Sequence, residues 1–157
     1  MIKNIYFYES DIGKIWIAEN GQAITNLYYD GKDGDGEAIP RDACVRETPL
    51  LKEAGGQIGE YLSGKRRSFA LPLDPCGTGF QRKVWKALLE IPYGQTRTYG
   101  EIAKRTGNER AARAVGMANH KNPVPIIIPC HRVVGSKGKL VGFAWGLELK
   151  ERLLELE

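Results

Sequence analysis

Long hydrophobic runs are missing from this 157-residue chain, and residues that commonly bind metals are scarce: three cysteines and two histidines. No apolar stretch approaches the roughly 20 residues of a membrane span, so no membrane partner is expected. The opening Met1-Ile2-Lys3-Asn4 lacks the basic-then-apolar pattern of a secretory signal. Cys44, Cys76 and Cys130 cannot all pair, and their spacing is not that of a disulfide framework. A reducing cytoplasm is the expected setting. Zinc spacing is absent as well, since two histidines and three dispersed cysteines give no ligand set. No metal and no cofactor is called for. Disorder is excluded as the main state by a 42 % hydrophobic content, enough apolar area to offset ordering entropy.

What is present is unevenly charged. Residues 1–75 carry 9 basic and 12 acidic side chains, whereas residues 76–157 carry 14 and 7. Between Arg97 and Lys139 there are nine basic residues and two acidic ones. A basic half joined to an acidic half suits a polyanion that contacts one half only. The length suits one domain or two small ones, and a division into residues 1–74 and 75–157 is expected.

Alternation of apolar residues predicts three strands, Lys3–Glu9, Lys14–Asn20 and Ala23–Tyr29, with reversals at Gly13 and Gly21. Residues 30–42 read as a loop. Within it Asp33-Gly34-Asp35-Gly36-Glu37 has the acidity of a calcium loop but lacks its sixth-position glycine and closing glutamate, so a solvated turn is expected. Thr48-Pro49 opens a helix to about Leu62 despite Gly55, Gly56 and Gly59, which packing must therefore hold. Ser68–Leu73 reads as a further strand, giving the order β-β-β-α-β.

From Cys76 the period becomes helical. Thr78-x-x-Gln81 is a capping box, with Phe80, Val84, Trp85, Leu88 and Ile91 on one face. Thr98-x-x-Glu101 is a second capping box, opening a short helix ended by Gly107. Asn108 then caps a third helix over 109–120. Two short helices about a tight glycine turn read as a helix-turn-helix. The third helix, Arg110-Ala-Ala-Arg-Ala-Val-Gly-Met-Ala118, is small-sided, which suits either close core packing or entry into a narrow nucleic-acid groove.

Pro123–Arg132 reads Pro-Val-Pro-Ile-Ile-Ile-Pro-Cys-His-Arg. The run Ile126–Ile128 predicts a buried strand that delivers Cys130 and His131 at its end. Most lone cysteines are inert core residues. Here His131, Arg132 and a basic surrounding favour the thiolate. Neighbours on a strand face opposite ways, so a relay from Cys130 to His131 through water is expected. A carboxylate orienting the histidine would come from Glu148, Glu151 or Glu155 in the C-terminal helix.

Pro129-Cys130-His131-Arg132-Val133, preceded by Asn122-Pro123-Val124-Pro125-Ile126 and by Arg110–Gly116, closely resembles the O6-alkylguanine-DNA alkyltransferases. The match is continuous from about Gly79 to Leu154. The resemblance implies an α+β fold: a ribonuclease-H-like N-terminal domain, then a mainly helical C-terminal domain with a winged helix-turn-helix. It implies a monomer that binds double-stranded DNA through the minor groove, flips O6-alkylguanine (and O4-alkylthymine), and moves the alkyl group irreversibly to Cys130. It further implies His131 as the base, Glu151 as the acid that orients it, and Asn122 as a hinge. Tyr99 would rotate the phosphate and donate to the guanine ring, and Arg113 would enter the stack. The carbonyls of Cys130 and Val133 would take the guanine amino group. The family's Gly-Tyr-(Ala or Ser)-Gly-Gly-Leu is here Gly142-Phe143-Ala144-Trp145-Gly146-Leu147, so Phe143 and Trp145 reshape the pocket beside Ala144. Two other readings remain: a lesion-binding relative without transfer, which would lack the cysteine, and a cysteine hydrolase, which would need an oxyanion hole.

Overall fold

The structure is a computed structural model, and it describes residues 1–31 and 38–157. The acidic run Asp33–Glu37 lies outside the described residues. These residues form two compact units, Met1–Cys76 and Gly77–Glu157.

In the first unit, strands β1 (Asn4–Ser10), β2 (Gly13–Glu19) and β3 (Ile24–Gly31) form an antiparallel meander. A short strand β4 (Cys44–Val45) joins the far edge, parallel to β1, so the sheet order is β3-β2-β1-β4. No alternation in the sequence announces β4, because two residues are too few to show a period. Helix α1 (Pro49–Leu62) is capped by Thr48, whose Oγ1 accepts from Leu51 N, and buries Leu51, Ala54, Ile58 and Tyr61.

The expected strand at Ser68–Leu73 is instead an extended segment with a single parallel bridge, Ile24 to Leu73. Pro72 and Pro75 withhold two ladder donors. The buried Gln57 holds this segment in place of a ladder: its Nε2 donates to Ala70 O at 3.2 Å and its Oε1 accepts from Ala70 N at 2.9 Å.

The second unit begins with α2 (Gly79–Leu89), closed by the Thr78–Gln81 capping box. Val84, Trp85, Leu88 and Ile91 are buried as expected, while Phe80 stays 38 % exposed. Next come β5 (Arg97–Thr98), α3 (Tyr99–Arg105) and α4 (Ala112–His120). Between α3 and α4, Gly107 sits at φ +96°, where its N–H reaches Lys104 O and ends α3. Helix α4 starts three residues later than expected. Asn108 spends its side chain on a turn, accepting from Arg110 N, and does not cap the helix. Trp85 Nε1 donates to Ala118 O at 2.8 Å and pins the last turn of α4 to α2.

The expected strand at Ile126–Ile128 is also absent. Prolines 123, 125 and 129 remove the donors it would need, and the chain turns with Ile126 at φ +74°. A single 3-10 turn, Cys130–Arg132, leads into β6 (Val133–Val134), which pairs in parallel with β5. After a second 3-10 turn, Ser136–Gly138, helix α5 (Leu147–Leu156) closes the unit.

The glycines of α1 provide a paired test. A Cβ on Gly55 would lie 3.0 Å from the Tyr8 ring, whereas Gly56 and Gly59 have nothing within 4 Å. Gly56→Ala should raise the unfolding free energy by about 0.5–1 kcal/mol through helix propensity. Gly55→Ala should lower it, because the ring must move. Chemical denaturation of the two variants checks both signs.

Candidate active site

The 3-10 turn makes Cys130 and His131 consecutive members of one tight bend. Cys130 N donates to Ile128 O at 2.8 Å, and Arg132 N donates to Pro129 O at 3.0 Å. Cys130 is 2 % exposed and His131 fully buried. Two amides at the end of α4 support the bend. Asn119 Nδ2 donates to Cys130 O at 3.3 Å. Asn122 Nδ2 donates to Ile128 O at 2.8 Å while its Oδ1 accepts from Val124 N at 2.9 Å. Asn122 therefore ties α4 to the segment that carries the thiol.

The histidine is oriented by Glu157, not by Glu151. His131 Nε2 lies 2.9 Å from Glu157 Oε2, and the carboxylate is 1 % exposed. Arg132 grips the same carboxylate from Nε and Nη2, each at 2.9 Å, and gives its Nη1 to Ile91 O at 2.7 Å. Gly94 N adds a donor to Glu157 Oε1 at 3.2 Å. Glu151 is exposed on α5, and so are Glu148 and Glu155. Helical period decides which acid turns inward. Leu153 lies on the buried stripe with Lys150, and Glu157 follows it by one turn, while Glu151 is rotated about 100° from Lys150.

Lys150 was not singled out from the sequence, yet it is fully buried. Its Nζ donates to Val133 O at 2.5 Å, Val141 O at 2.7 Å and Gly142 O at 2.9 Å. All three ammonium protons are thus spent, and the residue after the active turn is clamped to the loop carrying Phe143 and Trp145. The available signal was its position beside Leu149 and three before Leu153, on the apolar face of an otherwise charged helix.

Burial dominates the protonation states. It pushes the Cys130 thiol up to about 11, against the lowering effects of the Asn122 amide and the Lys150 charge. Burial lowers the His131 imidazole, opposed by Glu157. Burial also brings Lys150 down to about 8, opposed by Cys130. At rest the site accordingly holds a neutral thiol beside an imidazole biased toward its neutral form.

Of the remaining residues, Tyr99 is the one that reaches toward Cys130. Tyr99 is half-buried between α4 and the pocket loop, its hydroxyl donating to Val141 O at 3.2 Å. Burial and the nearby Cys130 raise its phenol above the ordinary value. A Cβ on Gly142 would lie 3.2 Å from that hydroxyl, and one on Gly116 would lie 3.9 Å from the ring. Phe143 and Trp145 are each 9 % exposed and meet edge to face, 6.1 Å between centroids. Ala144 between them is exposed, as are Arg113, Ala114 and Met117 on α4. Arg113 is thus brought to the outer surface of the helix, not into the thiol site.

Two family models cover this architecture: the 6-O-methylguanine DNA methyltransferase ribonuclease-like domain over residues 5–75, and its DNA-binding domain over residues 79–157. The chain belongs to the 6-O-methylguanine DNA methyltransferase family. It is 53 % identical over 150 residues to a methylated-DNA–protein-cysteine methyltransferase of Methanosarcina barkeri, covering 95 % of this chain and 93 % of the relative. A constitutive methylated-DNA–protein-cysteine methyltransferase of Bacillus subtilis is 44 % identical, covering 95 % and 92 %. Among solved structures, Mycobacterium tuberculosis OGT in complex with DNA matches with a TM-score of 0.86 and 44 % identity, covering 98 % of this chain and 91 % of that one. The α+β class expected from the sequence holds for this methyltransferase family member.

Two charge-removing substitutions separate the supports of the thiol. Glu157→Gln should slow alkylation of Cys130 by about 10²-fold, the range of a general-base contribution, whereas Glu151→Gln should leave it within about twofold. Lys150→Met should move the thiol further up. Its reaction with iodoacetamide, which needs thiolate, should then be slower at neutral pH and recover as pH rises toward the thiol's own range. Single-turnover alkylation across pH reads both effects.

Proposed function

We propose that this protein repairs DNA by direct reversal, moving the alkyl group of O6-alkylguanine onto Cys130 in a single irreversible turnover. The observation that carries this reading is the buried Cys130–His131 turn with Glu157 and Arg132 behind it, within the unit matched by the family's DNA-binding domain. Residues 75–157 act as the DNA-binding alkyltransferase domain and residues 1–74 as the ribonuclease-H-like domain.

The chemistry follows from the protonation states. Nε2 of His131 faces Glu157, so the proton from Cys130 enters at Nδ1, carried by a bridging water. The resulting imidazolium is balanced by the Glu157 carboxylate. The thiolate sulfur then attacks the alkyl carbon: an S–C bond forms, the C–O6 bond breaks, and its electron pair stays on the base. Tyr99 donates to the departing guanine ring, easing that charge. The new thioether has no ionisable sulfur and no leaving group for the reverse step, so each molecule acts once.

Delivery of the base uses α4. Its small residues suit close approach in the minor groove, and the exposed Arg113 fills the stack where the base left. Tyr99 turns the phosphate, and the carbonyls of Cys130 and Val133 accept the guanine amine. Phe143, Ala144 and Trp145 close over the alkyl group, with the indole as a lid. O4-alkylthymine is a secondary substrate. A monomer in a reducing cytoplasm fits three unpaired cysteines. Among the described residues, no helix is long and apolar enough to cross a membrane.

Intact mass after incubation with O6-methylguanine duplex tests the transfer. One added methyl on wild type and none on Cys130→Ala, with lesion binding retained by the variant, is the expected result. Methylation of Cys44 or Cys76 at the wild-type rate would refute it. Arg113→Ala should impair reaction with duplex by at least about tenfold more than reaction with free O6-benzylguanine, since only the duplex needs its base displaced. Equal losses on the two substrates would remove Arg113 from base flipping. Parallel single-turnover assays decide it.

A further inference from the structure

Helix α4 turns Val115 and Ala118 into the core and leaves a larger apolar residue, Met117, 63 % exposed. A lone apolar residue in solvent is ordinary, so its surroundings decide whether it has a use. Met117 lies about 40° around the helix from Arg113, and His120 about 20° to the other side, so the three share one face. All three are exposed, as are Arg110 before the helix and Lys121 after it. Arg110, Arg113 and Lys121 form no ion pair among the described residues. An apolar centre among unpaired cations is the layout of a groove contact, in which the cations meet phosphates and the centre meets base edges. The position is also anchored, because Trp85 Nε1 donates to the carbonyl of the next residue, Ala118.

Spacing gives the contact its register. Four residues of helix separate Arg113 from Met117, about 6 Å along the axis, against a base-pair rise of about 3.4 Å. When the arginine occupies the gap left by the flipped base, the methionine therefore meets a neighbouring pair and not the lesion. On the minor-groove side A·T and T·A present acceptors alone, whereas G·C adds the guanine N2 amine, a donor. The acceptors are common to all pairs, so the amine makes the difference. A thioether is a weak acceptor. Pressed against G·C, Met117 would strip water from that amine and return no adequate bond.

We infer that Met117 packs against the minor-groove edge of a base pair within two steps of the flipped nucleotide and disfavours G·C there, so that it sets the sequence context of repair. This inference rests on the repair reading above and goes beyond it. Arg113 fills the stack whatever the neighbours are, whereas Met117 discriminates among them.

The test is single-turnover transfer from O6-methylguanine duplexes whose two pairs on each side are all G·C or all inosine·C, which is G·C without the N2 amine. Inosine·C is also the weaker pair, so the quantity read is the fall in the inosine-to-guanine rate ratio when Met117 is replaced. Met117→Ala removes the contact and should reduce that ratio about fivefold, the modest end of the cost of an unbonded donor. Met117→Gln keeps the length and supplies an amide oxygen that accepts from the amine, so it should reduce the ratio at least as far. Both variants should react with free O6-benzylguanine at the wild-type rate, since that substrate has no neighbouring pair. A ratio unchanged in Met117→Ala overturns the assignment. A slower free-base reaction in either variant would place Met117 in the thiol site and overturn it as well. Failure of wild type to transfer methyl from any of these duplexes would refute the repair reading itself.

Discussion

The carboxylate of Glu157, buried between an imidazole and a guanidinium, is the constraint around which the active unit is arranged. A carboxylate 1 % exposed is tolerated only when its charge is met and its oxygens are bonded. Arg132 meets the charge with two nitrogens, and Gly94 and His131 complete the oxygen contacts. That requirement places Arg132 inward, at the end of the Cys130–Arg132 turn. It also ties the end of α5 to the segment just after α2, because Arg132 Nη1 donates to Ile91 O. Removing one member of such a pair typically costs about 3–5 kcal/mol, so the network is structural as well as chemical.

A second consequence is that the reactive sulfur is held in its unreactive form. Desolvation raises Cys130 to about 11 and simultaneously lowers the imidazole beside it. A group that reacts once and irreversibly is protected by this arrangement from adventitious electrophiles. On the proposed reading, proton removal at the moment of use falls to the imidazole that Glu157 stabilises when charged. Lys150 contributes a positive charge while spending its protons on three carbonyls, so it tunes the thiol from a fixed position.

Much of this was legible in the chain because its signals are local. The two capping boxes at Thr78 and Thr98, the proline-opened α1 and the alternation of β1 to β3 all depend on residues within a few positions of one another. Cys130, His131 and Asn122 were legible for the same reason, lying within nine residues. Other features depend on distant partners. The proline-flanked Ile126–Ile128 run has the composition of a strand, but the prolines remove its donors and the segment becomes a turn. Glu151 and Glu157 are indistinguishable as helix acids until the buried stripe of α5 is phased by Leu153 and Lys150. Lys150 itself reads as a surface charge, since nothing in its neighbourhood reveals three carbonyls arriving from residues 133, 141 and 142.

The claim that ties these features together is that one buried thiol consumes one alkyl group and is then spent. Mixing a known amount of protein with excess O6-methylguanine duplex and counting repaired guanines tests it directly. A burst that ends at one repaired base per chain, with the methyl recovered on the peptide containing Cys130, is the expected result. Continued turnover beyond one equivalent, or a methyl recovered on any other residue, would contradict it.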